Sequence, residues 1–252
     1  LMDRLHIGWQ LYVSLGGRVV ADAAGGESRP GVPMTRDTLM VWFSATKAVT
    51  SVAAAQQWQR GRFDLDDPVA AYIPEFGTKG KDAITIRHLF THTAGIRSAD
   101  VDARSPAGVV PGGTVYSPFV SPWDERLARI AQAEIDPGWV PGRRAGYHPF
   151  SGMFLLAEIV QRLDGRPFSR YVREEIFEPL GMQDCWLGMP GEVFASYGDR
   201  IGVLHLTRPG RQPFPFPRVD TEEGCAACVP GGAGRGPMRE LGRLYEAMLG
   251  KG

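Results

Sequence analysis

Residues 9–24 hold the feature that most narrows the fold: two apolar, β-favouring segments, 9–15 and 18–24, joined by Gly16 and Gly17. Paired glycines between such segments read as a tight hairpin turn. An isolated hairpin is marginal in water, so this one must join a sheet. Residues 44–180, in contrast, repeat their apolar side chains mainly at helical spacing. A chain containing both is expected to be α+β, with a helical block packed on an antiparallel sheet. Its 252 residues fit a single domain, in which 1–43 supply the hairpin and 44–180 most of the helices.

The helical block opens abruptly. An apolar run at 38–43 leads into Ser44, and nothing between 44 and 59 breaks a helix. Arg60 stands in the last turn, where a cation is favourable, and Gly61 follows. Ala48, Val52, Ala55 and Trp58 recur at helical spacing, and the small residues Ala45, Ala48, Ala53, Ala54 and Ala55 permit close packing on several sides, so a buried helix is expected. Further helices are predicted at 70–73, stopped by Pro74, and at 85–90, 123–135, 151–163, 167–177 and 238–249. The stretch 97–122, rich in Ser, Pro and Gly, reads as a long loop of the kind that carries function. Residues 184–235 show little periodicity.

Charge and cysteine content exclude several classes. Lys plus Arg and Asp plus Glu both number 28, so no basic excess favours nucleic acid. No apolar stretch approaches the length of a membrane span, and the chain opens without a secretory h-region. A cytoplasmic location is therefore expected, although a mature exported protein would read the same way. Cys225 and Cys228 form a C-x-x-C, but Cys185 is the only other cysteine, and the pair runs into Pro230, Gly231 and Gly232. Neither a zinc site nor a redox pair is expected from that arrangement, and no cofactor or metal is implied.

Ser44 and Lys47 lie three positions apart, which on a helix puts a hydroxyl and an amine on one face within contact. Screening from water would favour the neutral amine, able to take the serine proton. The helix amino end adds N–H groups and a positive field suited to a developing oxyanion.

The chain around this pair resembles the serine β-lactamase and penicillin-binding family, in the branch of class C β-lactamases, D-amino-peptidases, carboxylesterases and acyltransferases. The resemblance rests on the hairpin, on 38–47, and on Gly-Arg-Phe-Asp-Leu-Asp-Asp-Pro-Val at 61–69. It continues through Ile-Thr-Ile-Arg-His-Leu-Phe-Thr-His-Thr-Ala-Gly at 84–95, Pro141 and Gly142 ahead of Tyr147, the run 177–182, and Gly231-Gly232 before the last helix. It implies that Ser44 is the nucleophile, Lys47 its activating partner and Tyr147 the second member of the proton network. It also implies that the Ser44 N–H forms half of an oxyanion hole, and that His92 and Thr93 form a supporting turn.

Two departures from the family pattern bear on function. The tyrosine is usually followed by Ser and Asn, whereas His148 and Pro149 follow Tyr147. Proline has no side-chain amide to clamp a substrate, so a β-lactamase or D-amino-peptidase loses ground to an esterase or acyltransferase. The family's third motif, on a strand beyond the last helix, has no counterpart after residue 238. The resemblance thus implies that carboxyl-terminal strands lie outside this chain, in a missing segment or a second chain that completes the sheet.

Trp123, Trp139, Trp186, Tyr116 and Phe119 fall in or beside irregular segments and can line an apolar acyl pocket, with His148 a further polar candidate; each can equally be a packing or loop residue. The expected activity is acyl transfer through acyl-Ser44 from a small-molecule donor to water or a small acceptor. The competing readings are a β-lactamase or D-amino-peptidase, and a ligand-binding sensor of the same fold.

Overall fold

The computed structural model describes residues 6–97, 101, 121–206, 213–216 and 218–250. Most of the 97–122 stretch, with Tyr116 and Phe119, lies outside the described residues. The chain forms two compact units, Ser44–Val172 with Cys228–Gly232, and Leu1–Phe43 with Arg173–Ala227 and Ala233–Gly252.

The first unit is helical. Its opening helix, α1 (Thr46–Gln59), lacks glycine and proline and is rich in alanine, the best helix former. It ends where Arg60 N–H donates to Gln56 O (3.0 Å) and Gly61 N–H to Trp58 O (2.9 Å). Its buried face is Thr46, Val49, Thr50, Ala53, Ala54 and Gln57. It takes in Ala53 and Ala54 of the small residues, whereas Ala48 and Val52 are half-buried, Ala55 is exposed and Trp58 is 48% exposed. Half of the buried side chains are polar, and apolar periodicity cannot register them.

Next comes a pair of 3-10 turns, Val69–Ala71 and Pro74–Phe76. Pro74, predicted to stop a helix, begins the second of them, because a first-turn residue needs no N–H bond. Helix α2 (Ile86–Phe90) starts with a capping box in which Thr85 and His88 each satisfy the other's backbone N–H. Helix α3 (Trp123–Gln132) carries Asp124 and Glu125 in its first turn, complementing the helix dipole, and buries Arg126, Leu127, Ile130 and Ala131. Helix α4 (Ser151–Asp164) is the centre of the unit: every residue from Ser151 to Val160 is buried, and α1, α2, α3 and the next helix, α5 (Phe168–Val172), pack on it. Tyr171 of α5 donates its hydroxyl to Gln56 Oε1 at 2.9 Å. The helix predicted at 167–177 is α-helical only to Val172, and Arg173–Phe177 is a π turn.

The second unit holds the strands. Strands β1 (Gly8–Leu15) and β2 (Arg18–Arg29) form the predicted hairpin, and Gly16 and Gly17 take φ of +56° and +75° in its turn. Strand β2 runs past residue 24 to pair with β3 (Val32–Pro33), giving an open antiparallel sheet in the order β1-β2-β3. Strand β4 (Met40–Val41) pairs with β7 (Arg235–Gly236), and β5 (His205–Leu206) with β6 (Phe214–Pro215). The poorly periodic region also contains α6 (Gly191–Tyr197) and α7 (Glu222–Ala226), both too short to display a period. Helix α8 (Met238–Leu249) packs across β1, where Tyr12 donates its hydroxyl to Glu246 Oε1 at 3.0 Å. Helix on open antiparallel sheet, together with the helical unit, makes the chain α+β. Among the described residues no helix is long and apolar enough to cross a membrane.

Candidate active site

Ser44 lies on a 3-10 turn (Phe43–Ala45) immediately before α1. Phe43 is held at φ +46°, a left-handed conformation that costs a residue with a bulky side chain roughly 1–3 kcal/mol. Strain of this size in the residue preceding an exposed serine is a common accompaniment of function.

One turn along α1, the Lys47 ammonium donates to Ser44 Oγ at 3.2 Å and to Gly231 O at 2.7 Å. Tyr147 Oη lies 2.6 Å from Ser44 Oγ, and Lys47 Nζ is 5.1 Å from the centre of the tyrosine ring. Three groups separated by up to 103 positions thus meet at one hydroxyl. Partial burial pulls the Tyr147 phenol upward, but hydrogen bonds from Lys47 and Ser44 and the Lys47 charge outweigh it and bring its pKa below the ordinary 10.0.

Tyr147 reaches this position through a loop clamped to the turn at 91–95. Gly142 N–H donates to Thr93 O (3.1 Å), Gly146 N–H to His92 O (2.9 Å), and the Trp139 indole to Thr93 O (3.0 Å). Trp139 is wedged so tightly that a Cβ on Gly95 would lie 2.1 Å from its ring; with φ +73° as well, only glycine fits there. His92, at φ +54°, tilts its ring 5.1 Å from that of Tyr147, and its Nδ1 faces the His148 N–H at 3.5 Å. Burial lowers the pKa of both histidines; the charges of Lys47 and His148 add to the effect at His92, while Asp136 opposes it at His148. Both imidazoles are therefore held toward the neutral form.

Trp123 and Trp186 each have aromatic and hydrogen-bond partners of their own. Trp123, on α3, stacks on Phe154 with centroids 4.2 Å apart and donates its indole N–H to Glu158 Oε2 at 2.6 Å. Trp186 belongs to the sheet-bearing unit, where its indole donates to Tyr197 Oη (3.0 Å) beneath the Arg173 guanidinium (4.4 Å). Burial pushes the thiols of Cys225 and Cys228 up to about 11 and about 12, which leaves both protonated. Among the described residues no group of three or more His, Cys, Asp or Glu side chains is placed to hold a metal ion.

Sequence reasoning did not anticipate the Gly231 carbonyl as an acceptor for Lys47, 184 positions away; the glycine pair at 231–232 was the available signal. A nucleophilic hydroxyl within hydrogen-bond reach of both an amine and a phenol can lose its proton as it attacks an acyl carbon.

Comparison with known proteins identifies the family. The family model described as Beta-lactamase matches residues 2–252. Esterase EstB of Burkholderia gladioli is 31% identical over 195 residues, 73% of this chain and 48% of the relative. Esterase/beta-lactamase LipL of Mycobacterium tuberculosis is 31% identical over 188 residues, 73% of this chain and 39% of the relative. Among solved structures, a penicillin-binding protein homolog from Caulobacter crescentus superposes with a TM-score of 0.73 at 32% identity, covering 97% of this chain and 64% of its own. A family VIII carboxylesterase gives 0.75 at 25% identity, with 96% and 64% covered. The chain spans about half the length, or less, of these curated relatives. With a family model matched from end to end and a serine, lysine and tyrosine gathered at the start of α1, the chain belongs to the beta-lactamase family.

Proposed function

We propose that this chain carries the acylation centre of a serine hydrolase or acyltransferase that works on an ester or related acyl donor. The observation carrying the proposal is the placement of Ser44 Oγ 2.6 Å from Tyr147 Oη and 3.2 Å from Lys47 Nζ. As Ser44 Oγ bonds to the acyl carbon, its proton passes to the Lys47–Tyr147 pair. The carbonyl oxygen becomes an oxyanion stabilised by the Ser44 N–H and the amino end of α1. Collapse breaks the bond to the leaving alcohol, which takes the proton back from Tyr147. Water or an acceptor hydroxyl or amine then attacks acyl-Ser44, giving up a proton to the same pair as serine is released.

Preference for an ester over a β-lactam rests on Pro149, which offers no side-chain amide to hold a substrate amide. Relatives described as esterases support the same preference.

The test is intact mass after exposure of the full-length gene product to a short p-nitrophenyl ester, beside Ser44→Ala. One acyl adduct on the parent and none on the variant is expected. Clearance in water identifies an esterase, and clearance only with an added alcohol identifies an acyltransferase. Adduct on both proteins, or on neither with short and long donors alike, removes Ser44 as nucleophile.

A further inference from the structure

Lys47 is fixed from two sides, by its helix and by the carbonyl of Gly231. That carbonyl belongs to a five-residue strap, Cys228–Gly232, within the helical unit. Among the described residues, one turn-type bond from Gly232 N–H to Val229 O (2.9 Å) is its internal backbone link. Side chains supply further bonds to it. The Arg126 guanidinium, on α3, donates to Cys228 O at 2.9 Å, the Thr50 hydroxyl, on α1, to Pro230 O at 2.7 Å, and Lys47 to Gly231 O at 2.7 Å. Three donors from two helices thus take three carbonyls of five residues.

We infer that Arg126 and Thr50 are positioning residues for acyl transfer: they fix the 228–232 strap so that the Gly231 carbonyl holds the Lys47 amine against Ser44. The inference rests on the acyl-Ser44 reading and adds to it two residues that do not touch the reacting hydroxyl.

Several features support a positioning role over incidental packing. Thr50 is fully buried and Arg126 only 6% exposed, so neither bond is easily exchanged for one to water. Arg126 is itself held, its guanidinium 5.7 Å from the Trp123 ring and 5.2 Å from the Phe154 ring, a cation–π setting that fixes its direction. On its other side the strap lies hard against the residue two beyond Tyr147: a Cβ on Gly231 would come within 2.4 Å of Pro149 O. Backbone meets backbone there, so the strap abuts the segment bearing the phenol while its carbonyl anchors the amine. Loss of Arg126 or Thr50 frees a strap carbonyl, and any shift of about 1 Å in Gly231 O is enough to cost a general-base contact its alignment.

The test follows acylation by the p-nitrophenyl ester in Thr50→Val, Thr50→Ser, Arg126→Met and Arg126→Lys, with thermal unfolding of each. Thr50→Val keeps shape and removes the donor, so it remains informative if Arg126→Met fails to fold. Expected is a fall of about tenfold or more in the acylation rate constant for Thr50→Val and Arg126→Met, with most of the rate recovered in Thr50→Ser and part in Arg126→Lys. A purely structural role would not move the pH profile. Here its ascending limb should shift to higher pH, because a Lys47 that leaves its position no longer holds the Tyr147 phenol down. Parental rates and profiles in folded Thr50→Val and Arg126→Met, with Ser44→Ala inactive, overturn this inference and leave acyl-Ser44 standing. A parent that forms no Ser44 adduct brings down both.

Discussion

Two lysines of the helical unit are held in nearly the same way and are suited to different ends. Lys47 donates to Gly231 O at 2.7 Å, and Lys81 to Ala131 O and Ala133 O at 3.0 and 2.6 Å. Each ammonium rests on backbone carbonyls, and each lies near an aromatic ring, Tyr147 at 5.1 Å and Phe76 at 5.3 Å. Lys81, however, is completely buried at the carboxyl end of α3, where helix carbonyls concentrate negative charge. Lys47 is partly exposed at the amino end of α1, and a hydroxyl is among its acceptors. A carbonyl cannot accept a proton at neutral pH, so the bonds to Ala131 O and Ala133 O serve Lys81 as a staple. The exposed Ser44 hydroxyl beside Lys47 makes that amine a candidate for proton transfer.

The comparison breaks if the two lysines can exchange roles under mutation. The largest expected effect is at Lys47: Lys47→Met should slow acylation by about 10²–10⁴-fold, the usual contribution of a positioned base. Its midpoint in urea should stay near that of the parent, since the site is open to water. Lys81→Met should do the reverse, lowering stability by about 3 kcal/mol as two buried carbonyls lose a charged donor. Acylation per folded molecule should be unchanged. Stopped-flow ester cleavage and urea unfolding on both variants check the pair, and an acylation defect in folded Lys81→Met would remove the distinction.

How much of this was legible beforehand varied with the kind of interaction. The hairpin and α8 were plain, because Gly16-Gly17 and the helical recurrence of Leu241, Leu244, Tyr245 and Met248 are local signals, although only the two leucines of that stripe are buried. The Ser44 and Lys47 pair was readable from spacing alone, since both lie in one turn. Tyr147 was not; its assignment needed family resemblance, because no local rule links positions 103 apart. The strap was hidden for a different reason: its acceptors are backbone carbonyls, which every residue has. For Trp123 the sequence left pocket and packing readings level; its ring faces Phe154 and the Arg126 guanidinium. The polar half of the buried face of α1 was not legible, because Thr46, Thr50 and Gln57 carry no apolar signature.

A smaller effect sharpens the contrast between charged and neutral buried groups. His88, His92 and His148 all belong to the helical unit, and burial lowers each below the ordinary value of about 6.5. In the window just below that value the unfolded chain binds protons that the folded one refuses, so stability is full above it and declines as pH falls through the folded values. Urea titrations at pH 7.5 and 5.5 should show the decline, above the range where carboxylates protonate. His148→Gln should make it shallower; an unchanged slope would mean that His148 titrates alike in both states.

The smallest expected effect concerns a polar group that found no carbonyl. Gln57 is 2% exposed on the buried face of α1, and among the described residues its Nε2 has no acceptor. Thr50, two turns earlier on the same face, donates to Pro230 O, so burial on this helix does not by itself deny a partner. An amide N–H removed from water without compensation costs roughly 1–3 kcal/mol. Methionine matches the length and volume of glutamine without the donors, and Gln57→Met should therefore raise stability by about 1 kcal/mol and leave acylation untouched. Thr50→Val, a change of similar size on the same helix, should instead lower stability, because it orphans a buried acceptor. If Gln57→Met destabilises as Thr50→Val does, the amide has a bound partner such as a trapped water, and carbonyl pairing is not what separates tolerated from costly polar groups along α1.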